Sequence, residues 1–116
     1  MKRKLGLWGE EIAASFLINK GYDIRERNYY TRYGELDIIC EIDNRLIFVE
    51  VKTRRSIKFG FPEEAVTRQK IKHLRKAALI YLNSLECHFP EIRFDVITIL
   101  INSNNQVNIN HIENAF

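Results

Sequence analysis

A chain of 116 residues, 46% hydrophobic and 28% charged, is long enough to bury one core and too apolar for a disordered segment. Two cysteines exclude a disulfide framework and a cysteine zinc site, and three scattered histidines argue against a histidine metal site or catalytic triad. A net charge of +3 identifies no partner by itself, and apolar runs such as Val96 to Ile101 are too short to span a bilayer, so no membrane partner is expected.

The opening Met1-Lys2-Arg3-Lys4 leads into no long apolar block, so no signal peptide is expected and the cytoplasm is the expected location. The first predicted element is a helix from about Leu5 to Lys20. Trp8, Ile12 and Phe16 recur every fourth residue beside Leu5, Ala13 and Leu17, which gives one apolar face and puts Trp8 and Phe16 in the core. Lys20 suits the negative end of the helix dipole, and Gly21 a left-handed cap. Three strands follow, around Tyr22 to Tyr30, Glu35 to Ile42 and Arg45 to Thr53, with Asp43-Asn44 as the hairpin turn between the last two. A loop containing Gly60 and Pro62 leads to a second helix, capped by Thr67 and apolar at Ile71, Leu74, Ala78, Tyr81, Leu82 and Leu85. Strands near Arg93 to Ile101 and Gln106 to Ile112 close the chain, with Asn102 to Asn105 as their turn. The order α-β-β-β-α-β-β predicts an α/β or α+β fold over residues 1–116, one domain with a mixed central sheet flanked by helices.

The central hairpin carries the chemistry. If its turn is symmetric about Asp43-Asn44, Asp37 faces Glu50 and Glu35 faces Lys52, with opposed side chains about 5 Å apart at Cβ. Alternation puts Leu36, Ile38, Cys40, Ile42, Ile47, Val49 and Val51 on one apolar face, which must be core, with Cys40 a small core residue. The other face has Ile39 and Phe48 in its middle and gathers Glu35, Asp37, Glu50 and Lys52 at the end away from the turn. Carboxylates this close repel unless a cation intervenes. Lys52 offsets one charge. A bound Mg²⁺ or Mn²⁺ would offset more, and Asp37, Glu50 and the Val51 carbonyl make an oxygen set that suits it. Spacing alone leaves open a salt-bridge cluster on an exposed sheet edge.

With a metal, the expected chemistry is phosphodiester hydrolysis: a polarised phosphate, an activated water, and Lys52 orienting that water or stabilising the growing charge. Two basic clusters follow, Lys52, Arg54, Arg55 and Lys58, then Arg68, Lys70, Lys72, Arg75 and Lys76. Arg54, Arg55, Lys58, Arg68, Lys70 and Lys72 are expected to hold the backbone of a nucleic acid, and each contact should add salt dependence. A charge run taken alone also reads as a solvated surface.

Asp37 followed by Glu50-Val51-Lys52 resembles the D…(D/E)-x-K signature of the PD-(D/E)xK nuclease superfamily, the restriction-endonuclease-like fold. The wider string is more specific. Gly9-Glu10, Asn28, Gly34-Glu35-Leu36-Asp37 and Phe48-Val49-Glu50-Val51-Lys52-Thr53-Arg54 resemble the YraN-like family of predicted endonucleases. Gly60, Pro62, Ala65-Val66, Lys70, Ala78, Tyr81-Leu82 and Arg93-Phe94-Asp95-Val96 continue the match over nearly the whole chain. The resemblance implies Asp37 and Glu50 as metal ligands, Lys52 as the catalytic lysine, and Glu10 as a further acidic group facing the site from the first helix. It also implies a fold similar to archaeal Holliday-junction resolvases, with DNA, branched or under repair, as the expected substrate. The proline of the superfamily name is absent, since Tyr33-Gly34-Glu35-Leu36 precedes Asp37.

Other residues are read both ways. Glu35 is a supporting acid beside Asp37 or the partner that holds Lys52. Gln69, on the helix after the site, matches a glutamine that related nucleases often use. Tyr29, Tyr30 and Tyr33 alternate with Arg25, Arg27 and Arg32, a pattern that suits stacking on unpaired bases or an ordinary strand. Asp95 is expected to cap or pair locally. A homodimer fits the small size. A nucleic-acid-binding module that does not cut, and a protein-interaction factor, are the rival functions.

Overall fold

A computed structural model describes residues 4–55 and 66–116. The elements follow the expected α+β order: α1 (Lys4–Asn19), β1 (Asp23–Thr31), β2 (Gly34–Ile42), β3 (Arg45–Arg54), α2 (Arg68–Asn83), β4 (Glu91–Ile101) and β5 (Val107–Ile112). The five strands form one sheet in chain order. All neighbours are antiparallel except β3 and β4, which run parallel, with α2 between them in sequence. No described helix is long and apolar enough to cross a membrane. The loop residues Lys58, Gly60, Pro62 and Ala65 lie outside the described residues.

Local signals explain the boundaries. The chain leaves α1 through Gly21 at φ +95, with Gly21 N–H donating to Ile18 O and Tyr22 N–H to Leu17 O, both at 3.0 Å. That bond pair is the Schellman ending, and only a residue without Cβ takes such a φ cheaply. Thr67 caps α2, its hydroxyl accepting from Lys70 N–H at 3.1 Å. Asp43 and Asn44 both have positive φ, 50 and 62, as a two-residue hairpin turn of right-handed twist requires. From that turn the β2–β3 ladder runs in the expected register, from Ile42 opposite Arg45 to Ile38 opposite Val49.

The sheet is covered on both faces. Ala13, Ala14 and Leu17 of α1 pack on Ile38, Cys40, Ile47, Val49, Ile97 and Ile99. Leu74, Ala77, Ala78 and Tyr81 of α2 pack on Leu36, Ile39, Leu46 and Phe48. The face expected to end in charge is therefore a second core over most of its length. Leu36 also sits on the α2 side, not with Ile38 as strict alternation predicts. The slip falls at Asp37. Opposite it in β1, Asn28 has φ 54, a left-handed value that breaks the pleat, and the ladder pairs Arg27 with Ile38 and Tyr29 with Leu36.

The inward stripe of α1 is also offset from the predicted one. Its buried residues are Gly9, Glu10, Ala13, Ala14 and Leu17. Trp8 is 40% exposed, and Ile12 and Phe16 are only partly buried at the flank. Small residues win the central stripe because they let the helix come close to β3. At Gly9 an added Cβ would run into Thr53 Oγ1 and crowd Thr53 Cβ. Gly9→Ala is expected to cost about 1–3 kcal/mol by overpacking, read as a lower midpoint in urea or heat. An unchanged midpoint would show that α1 lifts off β3 freely.

Asp95 is fully buried, and long-range partners join the expected local one. It accepts two bonds from Arg93, at 2.8 and 2.9 Å, one from Asn114 N–H at 3.0 Å, and one from His111 Nε2 at 2.7 Å. Lys20 Nζ lies 2.9 Å from His111 Nδ1. Lysine can only donate, so Nδ1 accepts and the ring proton sits on Nε2, facing Asp95. Arg93 also donates to the Tyr22 hydroxyl at 2.9 Å. Burial raises the Asp95 carboxyl, but His111, Arg93 and the Asn114 amide outweigh it and hold the group below the usual carboxylate range.

Candidate active site

The β2–β3 ladder ends at Ile38 and Val49, and the site begins there. Beyond that point Asp37 replaces a backbone partner: its Oδ2 accepts the N–H of Val51 at 2.9 Å. Asp37 and Glu50 are thus on adjoining strands that part around them, rather than opposed in a regular pair as expected. Both are buried, each 7% exposed, at the edge of the second core.

Glu10 reaches the same place from α1, where it is 3% exposed. Its seating depends on the close contact of Gly9 with Thr53. Glu35, half-buried on β2, approaches from the other side. One carboxylate oxygen from each of Glu10, Glu35 and Asp37 falls within 4.8 Å of the others. The acidic group is therefore built from two elements distant in sequence, α1 and β2. It takes Glu35 into the cluster and leaves Glu50 at its rim.

Glu50 faces two cations. Lys52 Nζ is 3.8 Å and Lys70 Nζ 3.7 Å from its Oε1. Burial, then the negative charge and shared hydrogen bond of Asp37, push the Glu50 carboxyl up to about 8, against the pull of Lys70 and Lys52. Burial also lowers the Lys52 ammonium from its ordinary value, with Glu50 opposing that shift. A raised acid beside a lowered base is the pairing expected where groups exchange protons.

These groups line a cleft of about 720 Å³, together with Leu5, Gly6, Val51, Thr53, Arg54 and Arg55. The donor set is all oxygen, which fits a hard divalent cation better than zinc. Glu50 Oε2, buried with no hydrogen-bond partner among the described residues, also fits a site that takes a cationic ligand.

The expected phosphate contacts divide. Lys70, Arg54 and Arg55 line the cleft. Arg68 and Lys72 are exposed on α2 and do not, and Lys58 lies outside the described residues. Gln69 is exposed and also absent from the lining. One residue is about 100° of helix rotation, and that difference turns Lys70 rather than Gln69 toward Glu50. The tyrosines separate too. Tyr29 packs edge-on against Tyr81 at 5.1 Å, Tyr30 is 72% exposed, and Tyr33 lies near Arg32 and Lys76, at 5.0 and 5.2 Å from its ring. Leu5, Gly6 and Thr53 are lining residues that carry no chemical signal in sequence.

A family profile described as "Uncharacterised protein family UPF0102" matches residues 9–99. A UPF0102 protein of Syntrophomonas wolfei is 61% identical over 116 residues, covering all of both chains. One of Caldicellulosiruptor saccharolyticus is 47% identical, over 99% of this chain and 98% of its own. One of Phocaeicola vulgatus is 46% identical, over 97% and 92%.

Proposed function

The chain belongs to the UPF0102 family, and on that footing we propose that it is a metal-dependent nuclease that hydrolyses phosphodiester bonds in nucleic acid, DNA being the expected substrate. The observation that carries the proposal is the convergence of Glu10, Glu35 and Asp37 within 4.8 Å, with the Glu50–Lys52 pair beside them in one cleft. Three buried or half-buried carboxylates repel one another, an arrangement that folding alone does not favour and that a Mg²⁺ or Mn²⁺ ion relieves. Glu10, Glu35 and Asp37 would hold the ion, with Glu50 adjoining. Bound there, a divalent cation supplies Lewis acidity to the phosphate and acidity to a water.

The chain's own groups account for the rest. Lys52 stands where negative charge grows on the phosphate, and the burial that lowers its ammonium also makes it a readier proton donor to the leaving oxygen. Glu50 holds Lys52 in place and, in the ionised form that a neighbouring cation would favour, takes up a proton from the attacking water. Arg54, Arg55 and Lys70 surround the acidic floor with positive charge, which lets a polyanion approach a cleft it would otherwise avoid. The fold and its three clustered carboxylates favour cutting over mere binding, which does not need the Asp37–Glu50–Lys52 set.

The test is cleavage of labelled single-stranded, duplex, flap and four-way substrates with Mg²⁺ or Mn²⁺, alongside Asp37→Ala. Cleavage by the parent and none by the variant is the expected result. In parallel, Mn²⁺ is expected to raise the melting temperature of the parent and to leave that of Asp37→Ala unchanged, because a ligand of the folded state stabilises it. A parent inactive on every substrate with both metals, and unshifted by Mn²⁺, would overturn the proposal.

A further inference from the structure

Beside the acidic cleft lies a second hollow, of about 380 Å³. Leu5, Trp8, Ile101 and Val107 give it an apolar side, and the polar Lys4, Arg55 and Asn105 complete the lining. Trp8 and Val107 are each 40% exposed, so the hollow leaves an indole and an aliphatic side chain facing solvent. Leu5 and Arg55 line both this hollow and the cleft, so the two adjoin.

The chemistry of this hollow is specific in kind. An exposed tryptophan on an apolar floor, with cations at its edge, is what a flat aromatic ring carrying a nearby negative charge would seek. A nucleobase joined to its phosphate has that form. Its ring face stacks on an indole whatever the base, while Arg55 and Lys4 meet the phosphates on either side. A base inside an intact duplex is stacked between its neighbours and cannot enter. A phosphodiester lying across the acidic cleft would place the next nucleotide along the strand by Arg55, at the mouth of the hollow.

We infer that the Trp8 hollow seats one unpaired nucleobase adjacent to the phosphate held in the cleft, so that the nucleic acid recognised here is single-stranded at that position. This inference rests on the nuclease reading for the phosphate and adds the substrate class. It assigns Trp8 a binding role on the solvent side of α1, which the offset of the helix's buried stripe toward Gly9, Ala13 and Leu17 makes possible.

Trp8 is the only tryptophan in the chain, so its fluorescence reports on the hollow directly. The full chain, in EDTA and low salt, is titrated with an end-labelled oligothymidylate and with a blunt duplex of equal length. Indole emission and label anisotropy are followed together. Quenching by the single strand but not by the duplex is expected. Trp8→Ala should weaken single-strand binding about tenfold, the effect of losing one stacked base, and leave duplex binding unchanged. Trp8→Phe should restore most of the loss, and melting curves of both variants check that they fold. Single-strand binding with silent emission, or with the same affinity in Trp8→Ala, overturns the inference and leaves the nuclease reading intact. No binding to either strand form overturns the inference, while the nuclease reading stands or falls on its own cleavage and Mn²⁺ tests. Quenching with no cleavage on any substrate upholds the seat for a base and overturns the nuclease reading alone.

Discussion

Glu50→Gln should give a protein that no longer cleaves nucleic acid yet melts at a higher temperature than the parent above pH 8. In the unfolded chain this carboxyl ionises near its ordinary value of 4.5, while in the fold burial and Asp37 push it up to about 8. Below pH 4.5 both forms are protonated and the folded state has its full stability. Between 4.5 and 8 the unfolded chain releases a proton that the fold retains, so stability falls as pH rises. Above 8 the folded protein holds a charged, buried carboxylate and bears the whole cost. Glutamine keeps the shape and never ionises. The two melting profiles should therefore coincide in acid and separate by several degrees in mild alkali, with the variant higher.

Saturating Mn²⁺ should narrow the gap, because a cation beside the ionised Glu50 of the parent offsets the cost of its buried charge. Lys52→Ala should lower kcat about 100- to 1000-fold, the usual effect of removing one group that stabilises transition-state charge. A Glu50→Gln protein that melts lower than the parent at every pH would show that the ion pairs to Lys52 and Lys70 outweigh the burial of the carboxylate.

Asp95→Ala is expected to cost about 3–5 kcal/mol, the penalty for breaking a buried ion pair from one side. For a chain of this size that is a fall in melting temperature on the order of 10 °C or more. Arg93, with its side chain 11% exposed, loses a bidentate partner, and His111 Nε2 and the Asn114 amide lose their acceptor. Because the folded carboxyl is held below the unfolded value of 3.8, its contribution is complete above that pH and drains away as pH falls through the folded value. The acid limb of the stability profile should flatten in the variant. Thermal melts from pH 2 to pH 7, read by circular dichroism, would check both effects. A variant within 1 kcal/mol of the parent would show that Glu113, 3.2 Å from Arg93, takes over the guanidinium.

The parts of this fold that are legible in sequence are those decided by one or two adjacent residues. Asp43-Asn44 announces its turn because both residues tolerate positive φ, and that turn sets the register as far as Val49. Gly21 and Thr67 announce helix ends for equally local reasons. Asp37, Glu50 and Lys52 are legible as neighbours because the same register brings them near one another. Glu10 enters the reading through family resemblance, since nothing local distinguishes a glutamate that turns inward from one that faces water.

The features that sequence hides depend on contacts between distant elements. Trp8 belongs to a fine amphipathic stripe, yet Gly9 and Ala13 take the inner face because β3 is close. Leu36 changes face because Asn28, on another strand, is left-handed. His111 looks isolated until β5 is laid beside β4 and brings its ring to Asp95.

The bond from Val51 N–H to Asp37 has a kinetic and entropic meaning for the site. Asp37 holds its carboxylate in place with a main-chain group of the neighbouring strand, so its rotamer freedom was given up when the sheet formed. Little remains to be surrendered when a ligand arrives, and each encounter meets an oxygen already aimed. The carboxylate thus has the stiffness of the sheet rather than that of a surface side chain. Damage to it should come from mutations that loosen the β2–β3 seam as readily as from those that touch the cleft.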